Sequence, residues 1–268
     1  MDAPDVLRHN ALAWDKESDA RGEWSRPVDA EVIANARRGD WEVILTPNKA
    51  VPREWFGDLK GRDVLCLASA GGQQGPILAA AGANVTVVDQ SAKQLEGDRF
   101  VAERESLDMR LVRGDMADLS MFDDASFDII FHPVSNCFSA EIRPVWRESF
   151  RVLRTPGVLM SGFLNPLFYM FDRELDDKGE LVVKHSLPYS DLTRWKLEGI
   201  KPDAEKGENF EFGHSLTDQI GGQIDAGFVI GGFYEDYWSD KATTLNKYTP
   251  TYIATLAFKR NVDFSAVS

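Results

Sequence analysis

One βαβ unit constrains the fold of this chain more than any other feature of its sequence. The apolar run Val64–Leu67 leads into the small residues Ala68–Gly72, a helical stretch follows, and the apolar run Val85–Val88 ends on Asp89. Small residues at such a turn let a backbone approach a ligand, and an acid about 20 residues further on lies where ribose hydroxyls bind. The unit therefore predicts a nucleotide-binding parallel sheet.

The rest of the chain continues the alternation of strands and helices. Gln74–Ala81 is Ala-rich and is followed by Gly82, and Ser91 with Gln94 has the pattern of a capping box. Strands are predicted at 63–68, 84–89, 110–113, 127–132 and 157–163, followed by two late strands at 228–234 and 252–259. We expect an α/β, Rossmann-like, doubly wound and mostly parallel seven-stranded sheet with an antiparallel C-terminal strand.

Four regions are expected along the chain. Residues 1–60, rich in tryptophan, form an N-terminal cap or lid, and residues 61–165 form the nucleotide-binding core. Residues 166–213 carry prolines and many aromatic residues, break the alternation, and are read as an inserted substrate cap. Residues 214–268 complete the core with a helix and the late strand pair.

Composition excludes several classes of partner. The net charge of -13 argues against unaided binding to nucleic acid or to an anionic membrane. No apolar run is long enough to span a bilayer, and the N-terminus lacks the pattern of a signal peptide, so a cytoplasmic protein is expected. Cys66, Cys137 and the four histidines have no metal-ligand spacing, so no metal site is expected. The aromatic residues of the caps leave a homodimer open.

Two further groups of polar residues follow predicted strands. Asp115 and Met116 follow the third strand, where an acid can accept from an adenine amino group and methionine can cover the ring; the alternative is a simple Asx turn. His132, Pro133 and Val134 follow the fourth strand, at the sheet edge where ligands bind. His132 is a candidate general base, a substrate hydrogen bonder or a structural histidine.

These motifs resemble those of class I S-adenosylmethionine-dependent methyltransferases of the type-11 group. The resemblance covers residues 61–165 well, and the late strand pair of 214–258 also fits. Four segments are similar to a bacterial branch of that group without an assigned substrate: Cys66–Gln74, Asn10–Trp14, Trp24–Pro27 and Gly213–Gly222. The chain departs from the group where Cys66 replaces an acid and where Ala68 and Ala70 replace glycines.

The resemblance implies S-adenosyl-L-methionine as cofactor, a small-molecule methyl acceptor and in-line methyl transfer. Asp89 would bind both ribose hydroxyls with Gln90 beside the adenine, and Asp115 and Met116 would hold the adenine. His132, Pro133 and Val134 would line the methyl-transfer face. The turn of Ala68, Ser69, Ala70, Gly71 and Gly72 would lie against the methionine moiety, where Gln73, Gln74 or backbone carbonyls would replace the missing acid.

Two roles and two alternatives complete the sequence-based expectations. His132 and His214 are the candidate catalytic bases. Arg26 is a candidate bidentate hydrogen-bond donor to the cofactor carboxylate, and the alternative is that it forms a surface ion pair. A non-catalytic protein that binds the cofactor as a sensor would fit the lost acid at Cys66. A nicotinamide-dependent oxidoreductase would use the same βαβ unit, but the chain lacks both G-x-G-x-x-G and a Tyr-x-x-x-Lys pair.

Overall fold

The computed structural model describes residues 3–239 and 241–260. Its strands are β1 (Asp63–Leu67), β2 (Asn84–Asp89), β3 (Met109–Arg113), β4 (Phe127–His132), β5 (Leu153–Leu164), β6 (Tyr189–Ser190), β7 (Phe212–Gly213), β8 (Val229–Asp236) and β9 (Tyr252–Lys259). Seven of them form one sheet in the order β3-β2-β1-β4-β5-β9-β8. Only β9 runs antiparallel to its two neighbours in that sheet. The predicted fold class is confirmed.

Helices cover both faces of the sheet and the carboxyl ends of its strands. They are α1 (Ala3–Asp19), α2 (Ala30–Arg37), α3 (Gln74–Ala80), α4 (Ala92–Glu105), α5 (Arg143–Val152), α6 (Arg173–Asp176), α7 (Asp191–Glu198) and α8 (Gly222–Asp225), the last continuing a π-helical turn at Thr217–Gly221. No helix in the described ranges is long and apolar enough to cross a bilayer.

Burial on both faces of the sheet explains why β1 reads as a continuous apolar run. Val64 and Cys66 belong to one core cluster, and Leu65 and Leu67 belong to the other. All four side chains are fully buried. A central parallel strand covered by helices on both sides needs apolar residues at every position rather than at alternate ones.

The late strand pair forms one end of the sheet, and the insertion lies between β5 and that pair along the chain. The antiparallel C-terminal strand β9 lies between β5 and β8, and it pairs with β5 from Gly157 to Leu164. Residues 166–213 contain short helices and the two-stranded sheet of β6 and β7. Proline and aromatic residues there form a cap with little regular structure, which lies over the strand ends.

The predicted capping box is only half formed. The Ser91 hydroxyl accepts from the Gln94 backbone N–H at 3.1 Å, so Ser91 caps α4. The Gln94 side chain does not return to the Ser91 backbone. Its amide oxygen accepts from the Gly71 N–H and its amide nitrogen donates to the Ser25 hydroxyl, both at 2.6 Å. The side chain thereby links α4 to the turn after β1.

Candidate functional site

A cavity of about 680 Å³ lies at the carboxyl ends of the parallel strands, beneath the N-terminal and inserted caps. The turns after β1, β2, β3 and β4 form its floor, and residues 44–47 and the insertion form its walls. Eight of the predicted site residues line it, namely Ala68, Ala70, Gln74, Asp89, Gln90, Met116, Pro133 and Val134. One cavity thus joins the predicted cofactor positions to the insertion.

The turn after β1 is strained where the resembled group has glycines. Ala68 and Ala70 have φ values of 44° and 64°, in the left-handed region that disfavours residues with a Cβ. Gly71 and Gly72 lie against α4, where an added Cβ would meet the Gln94 carbonyl oxygen at 2.5 Å and the Gly97 carbonyl oxygen at 2.8 Å. Backbone strain of this kind clusters at functional sites, and here it borders the cavity.

Two buried side chains of α4 hold this turn from below. The Gly71 N–H donates to Gln94 Oε1 at 2.6 Å, and the Gly72 N–H donates to Asp98 Oδ1 at 2.9 Å. Asp98 is 1% exposed, and burial raises the pKa of its carboxyl well above the usual value. Gln94 and Asp98 therefore fix the shape of the turn, while Gln94 also borders the cavity.

Cys66 stands where the resembled group has an acid, and no other residue of β1 brings a carboxylate into the cavity. Cys66 is fully buried, and its thiol pKa is raised by burial and then by the nearby Asp98 carboxyl. Ser69 is 1% exposed and lies on the same buried side. The buried acid near this position thus comes from α4, where it binds the Gly72 amide and does not line the cavity.

Gln73 and Gln74 face different surroundings. The Gln73 side chain lies outside the cavity and donates to the carbonyl oxygens of Glu23 at 2.7 Å and Arg26 at 3.1 Å. Arg26 is exposed and its side chain does not line the cavity. Gln74 does line it, and its Oε1 accepts from the Ile44 N–H at 3.0 Å.

Asp89 ends β2 with its carboxylate at the cavity. Its side chain is 8% exposed, and Oδ1 accepts from the Ser91 N–H at 2.8 Å. Burial, with a smaller contribution from the Asp15 carboxylate of α1, raises the pKa of this carboxyl to about 7, although the Ser91 N–H lowers it. Burying a carboxylate without a cationic partner is unfavourable in the free protein. Hydroxyl groups of a bound ligand can donate hydrogen bonds to it and so stabilise its ionised form.

Asp115 and Met116 separate at the edge of the cavity. Met116 is 8% exposed and lines the cavity. Asp115 does not line it, and its Oδ1 accepts from the Ala117 N–H at 2.9 Å, which is the Asx turn that the sequence left open. Burial raises the pKa of the Asp115 carboxyl.

His132 lies behind the cavity wall. It is fully buried, its Nε2 contacts Asn136 Oδ1, and its Nδ1 lies 3.4 Å from the Leu67 carbonyl oxygen. Asn136 continues the network by donating to Gln219 Oε1 at 2.9 Å. Burial lowers the pKa of His132, so the ring is neutral near pH 7. The geometry makes His132 a support for the loop after β4.

His214 supports the same loop from the other side. Its Nε2 lies 2.9 Å from the Ser139 carbonyl oxygen and 3.2 Å from that of Asn136. Burial lowers the pKa of this ring too, and it does not line the cavity. Among residues 3–239 and 241–260, no group of three or more His, Cys, Asp or Glu side chains is arranged to hold a metal ion.

Helix α1 connects the inserted cap to the region beside Asp89. Asn10 is fully buried; its Nδ2 donates to the carbonyl oxygens of Phe138 and Phe210, both at 3.0 Å, and its Oδ1 accepts from the Phe210 N–H at 2.8 Å. Further along the helix, Asp15 Oδ1 accepts from the Ser91 hydroxyl at 2.6 Å. Trp14, between them, lines the cavity.

Several lining residues were not identified as site residues from the sequence. The sequence predicts Gln94 only as part of a capping box, and residues 44–47 only as part of the N-terminal cap. Tyr169 and Tyr189 belong to the aromatic-rich insertion, and the spacing of its aromatic residues does not indicate which of them face the cavity. The insertion also contributes Asp172, Arg173, Glu174, Lys184, His185, Asp191, Arg194, Glu208 and Glu211.

Comparisons with known proteins agree with this geometry. A family model described as "Methyltransferase domain" matches residues 65–161. The chain is 51% identical over 254 residues to the "Uncharacterized methyltransferase YbaJ" of Bacillus subtilis (strain 168), a match that covers 95% of this chain and 98% of the relative.

Solved structures with a similar fold include two S-adenosylmethionine-dependent methyltransferases. The one from Mesorhizobium loti has a TM-score of 0.56 at 16% identity and covers 77% of this chain and 95% of its own. The one described as putative, from Listeria monocytogenes, has a TM-score of 0.56 at 13% identity and covers 78% and 96%. At these identities the structural similarity shows the fold.

The chain belongs to the methyltransferase family. The class predicted from its sequence, the class I S-adenosylmethionine-dependent methyltransferases, is confirmed, and S-adenosylmethionine is its cofactor. The family match thereby decides against the nicotinamide-dependent oxidoreductase.

Proposed function

We propose that this protein transfers the methyl group of S-adenosylmethionine to a small organic acceptor held beneath the inserted cap, in the cytoplasm. One observation carries the proposal: a single cavity is bounded both by Asp89 and Met116 and by the side chains of the insertion. An acceptor that fits such an enclosed space is a small molecule. The net charge of -13 likewise disfavours nucleic acid or an anionic membrane as partner.

The residues present fit the cofactor. The buried Asp89 carboxylate faces the cavity as an acceptor for ribose hydroxyls, with Gln90 next to it, and Met116 offers an apolar surface to the adenine. Ala68 and Ala70 border the space for the methionine moiety. Bound there, S-adenosylmethionine would supply an electrophilic sulfonium methyl group.

The protein's own task is to position the acceptor and to exclude water. Pro133 and Val134 would border the methyl-transfer face, and the aromatic walls of the insertion would keep water from it. We assign His132 and His214 to the support of the loop after β4. Besides Asp89, the proton acceptors that line the cavity include His185 and carboxylates of the insertion, among them Asp191 and Glu211.

Titration calorimetry with S-adenosylhomocysteine, followed by transfer of a labelled methyl group to pooled small metabolites, tests the proposal. We expect saturable binding at one site and a labelled small-molecule product. Binding without transfer to any pool would favour the cofactor-binding sensor, and an absence of binding would contradict the proposal.

We further propose that α1 is a lid that joins the inserted cap to the cofactor site. The Asn10→Ala substitution should lower the free energy of unfolding by about 2–4 kcal/mol, because it leaves buried backbone groups of Phe138 and Phe210 without partners. It should also weaken S-adenosylhomocysteine binding. Thermal unfolding and calorimetry measure both effects.

The control for the Asn10→Ala substitution is Asn35→Ala on α2. The Asn35 side-chain oxygen accepts from the nearby Arg38 at the protein surface. We expect a change below about 1 kcal/mol for that variant. If the two substitutions had equal effects on the free energy of unfolding and on S-adenosylhomocysteine affinity, the proposal that α1 is a lid would be contradicted.

A further inference from the structure

The part of the cavity beneath the insertion has aromatic walls. We call this part the cap pocket, and its aromatic lining is Phe168, Tyr169, Tyr189, Trp238 and Tyr252. The rings of Tyr169 and Tyr189 stack with centroids 5.2 Å apart and planes inclined by 13°. Trp238 lies against Phe168 and Tyr252, with centroids 5.8 Å away in each case. Aromatic faces grouped around a cavity attract organic cations. The Arg173 guanidinium already lies 5.1 Å from the Phe168 ring centroid and 5.8 Å from that of Trp238, which leaves the Tyr169, Tyr189 and Tyr252 rings for a bound cation.

The cations that line the cap pocket already have carboxylate partners. Lys184 Nζ lies 2.7 Å from Asp172 Oδ2, and Arg194 Nε lies 3.1 Å from Glu198 Oε2. The third cation, Arg173, has its Nε 3.4 Å from Asp177 Oδ1. His185 adds no charge near pH 7, since burial and nearby cations lower its pKa. These groups therefore offer little free positive charge to an anionic acceptor.

Two carboxylates of the cap pocket have only neutral hydrogen-bond donors. The Tyr169 hydroxyl donates to Glu211 Oε2 at 3.0 Å, and the Tyr189 hydroxyl donates to Asp191 Oδ1. The Glu211 N–H donates to Asp191 Oδ2 at 2.8 Å, so the two acidic residues adjoin. Within the described ranges, neither carboxylate lies within 4.0 Å of a lysine or arginine nitrogen.

The proximity of these acids has an electrostatic consequence. Burial raises the pKa of Glu211, and the neighbouring Asp191 also raises it, while the Tyr169 hydroxyl and the more distant Arg173 guanidinium lower it. Removing a carboxylate from water without a counter-ion is unfavourable, and a cation placed beside it relieves that penalty. The pocket is thus preorganised for positive charge.

We propose that the methyl acceptor carries a cationic nitrogen, an ammonium or guanidinium group, that binds in the cap pocket between the aromatic faces and the carboxylates of Glu211 and Asp191. This inference rests on the proposed function and names the substrate class. The cationic group would anchor one end of the acceptor in the insertion. The atom to be methylated would then lie towards Pro133 and Val134, which line the same cavity.

Choline and 3,3-dimethylbutan-1-ol test this inference, because they have the same shape and differ in a permanent positive charge. Their binding to the full chain saturated with S-adenosylhomocysteine can be measured by saturation-transfer NMR. We expect choline to bind at least about tenfold more tightly than the neutral alcohol. Equal affinities, or no saturable binding of choline, would overturn the inference and leave the proposed function intact.

Two variants locate the binding site of the cation. The Glu211→Gln variant should bind choline about tenfold more weakly while it still binds S-adenosylhomocysteine. The matched control is Glu180→Gln, which removes an exposed carboxylate of the same insertion outside the cavity and should leave choline affinity unchanged. Unchanged choline affinity in Glu211→Gln would overturn the inference. Failure of the wild-type protein to bind S-adenosylhomocysteine would instead overturn the proposed function, on which this inference rests.

Discussion

The Asp89→Asn variant will bind S-adenosylhomocysteine about 10- to 100-fold more weakly than the wild-type protein. An asparagine amide can accept from only one of two ribose hydroxyls and places a donor against the other, so one or two charge-assisted hydrogen bonds are lost. The loss corresponds to about 1.4–2.8 kcal/mol of binding free energy. Calorimetry on both proteins at pH 8 measures it.

The same substitution will raise the stability of the free protein above pH 7. The pKa of Asp89 is about 7 in the folded state and close to 4 when unfolded, so the folded state binds the proton more tightly. The free energy of unfolding therefore falls as the pH rises from about 4 to 7, and the total loss at pH 7 is on the order of 2–4 kcal/mol. Asparagine cannot ionise, so the variant escapes this loss.

The pH dependence of binding should follow the same titration. Ribose hydroxyls favour the ionised Asp89 carboxylate, so binding releases a proton, and affinity should rise with pH up to about 7 and then level off. Asp15 of α1 is the other carboxyl that raises the pKa of Asp89, and Asp89 in turn raises the pKa of Asp98 on α4. The Asp89→Asn variant should lack the rise.

Asp108→Asn is the control for these measurements, because Asp108 is exposed and precedes β3 far from the cavity. It should leave both the affinity and the melting temperature unchanged. If Asp89→Asn bound S-adenosylhomocysteine as tightly as Asp108→Asn does, the ribose-binding role of Asp89 would be refuted.

The Gly162→Ala variant will be destabilised by about 1–3 kcal/mol and will bind the cofactor product more weakly. Gly162 lies in β5, and its added Cβ would come 2.1 Å from the Leu45 carbonyl oxygen and 2.8 Å from its carbonyl carbon. Backbone cannot rotate away as a side chain can, so the segment around Leu45 must move. That segment lines the cavity and is bound to the loop after β4 by the Val134 N–H at 3.1 Å.

Thermal unfolding and calorimetry measure both consequences, and Gly221→Ala is the matched control. An added Cβ at Gly221 would meet only Thr217 Cγ2 at an ordinary 3.7 Å, in a helical turn with φ of -59°. That variant should be neutral or more stable by about 0.5 kcal/mol. A Gly162→Ala protein as stable as Gly221→Ala would show that the N-terminal segment does not lie against β5.

Local signals explain which parts of the fold could be predicted from the sequence. β2, β4 and β9 have the predicted bounds, because apolar runs between turn residues mark buried strands without reference to distant contacts. β5 starts earlier than predicted, at Leu153, because α5 leads into it without a break. The arrangement of the insertion depends on contacts such as Asn10 with Phe210, 200 positions apart, which no local pattern encodes.

The candidate site divides in the same way. Asp89, Met116 and Val134 could be placed at one cavity because the carboxyl ends of parallel strands meet at one edge of the sheet. The direction of a side chain could not be predicted from the sequence. His132 ends β4 at the edge of the sheet where ligands bind, yet its ring points to Asn136 and Leu67 behind the cavity wall. Glu211 carries no sequence signal, since its place depends on how the insertion folds over Tyr169.

A crystal structure of the protein with S-adenosylhomocysteine tests the central claim most directly. We expect both ribose hydroxyls within hydrogen-bond distance of the Asp89 carboxylate, the adenine against Met116, and the sulfur atom facing Pro133, Val134 and the cap pocket. An adenosine group bound away from Asp89, or a sulfur atom closed off from the cap pocket, would contradict the account.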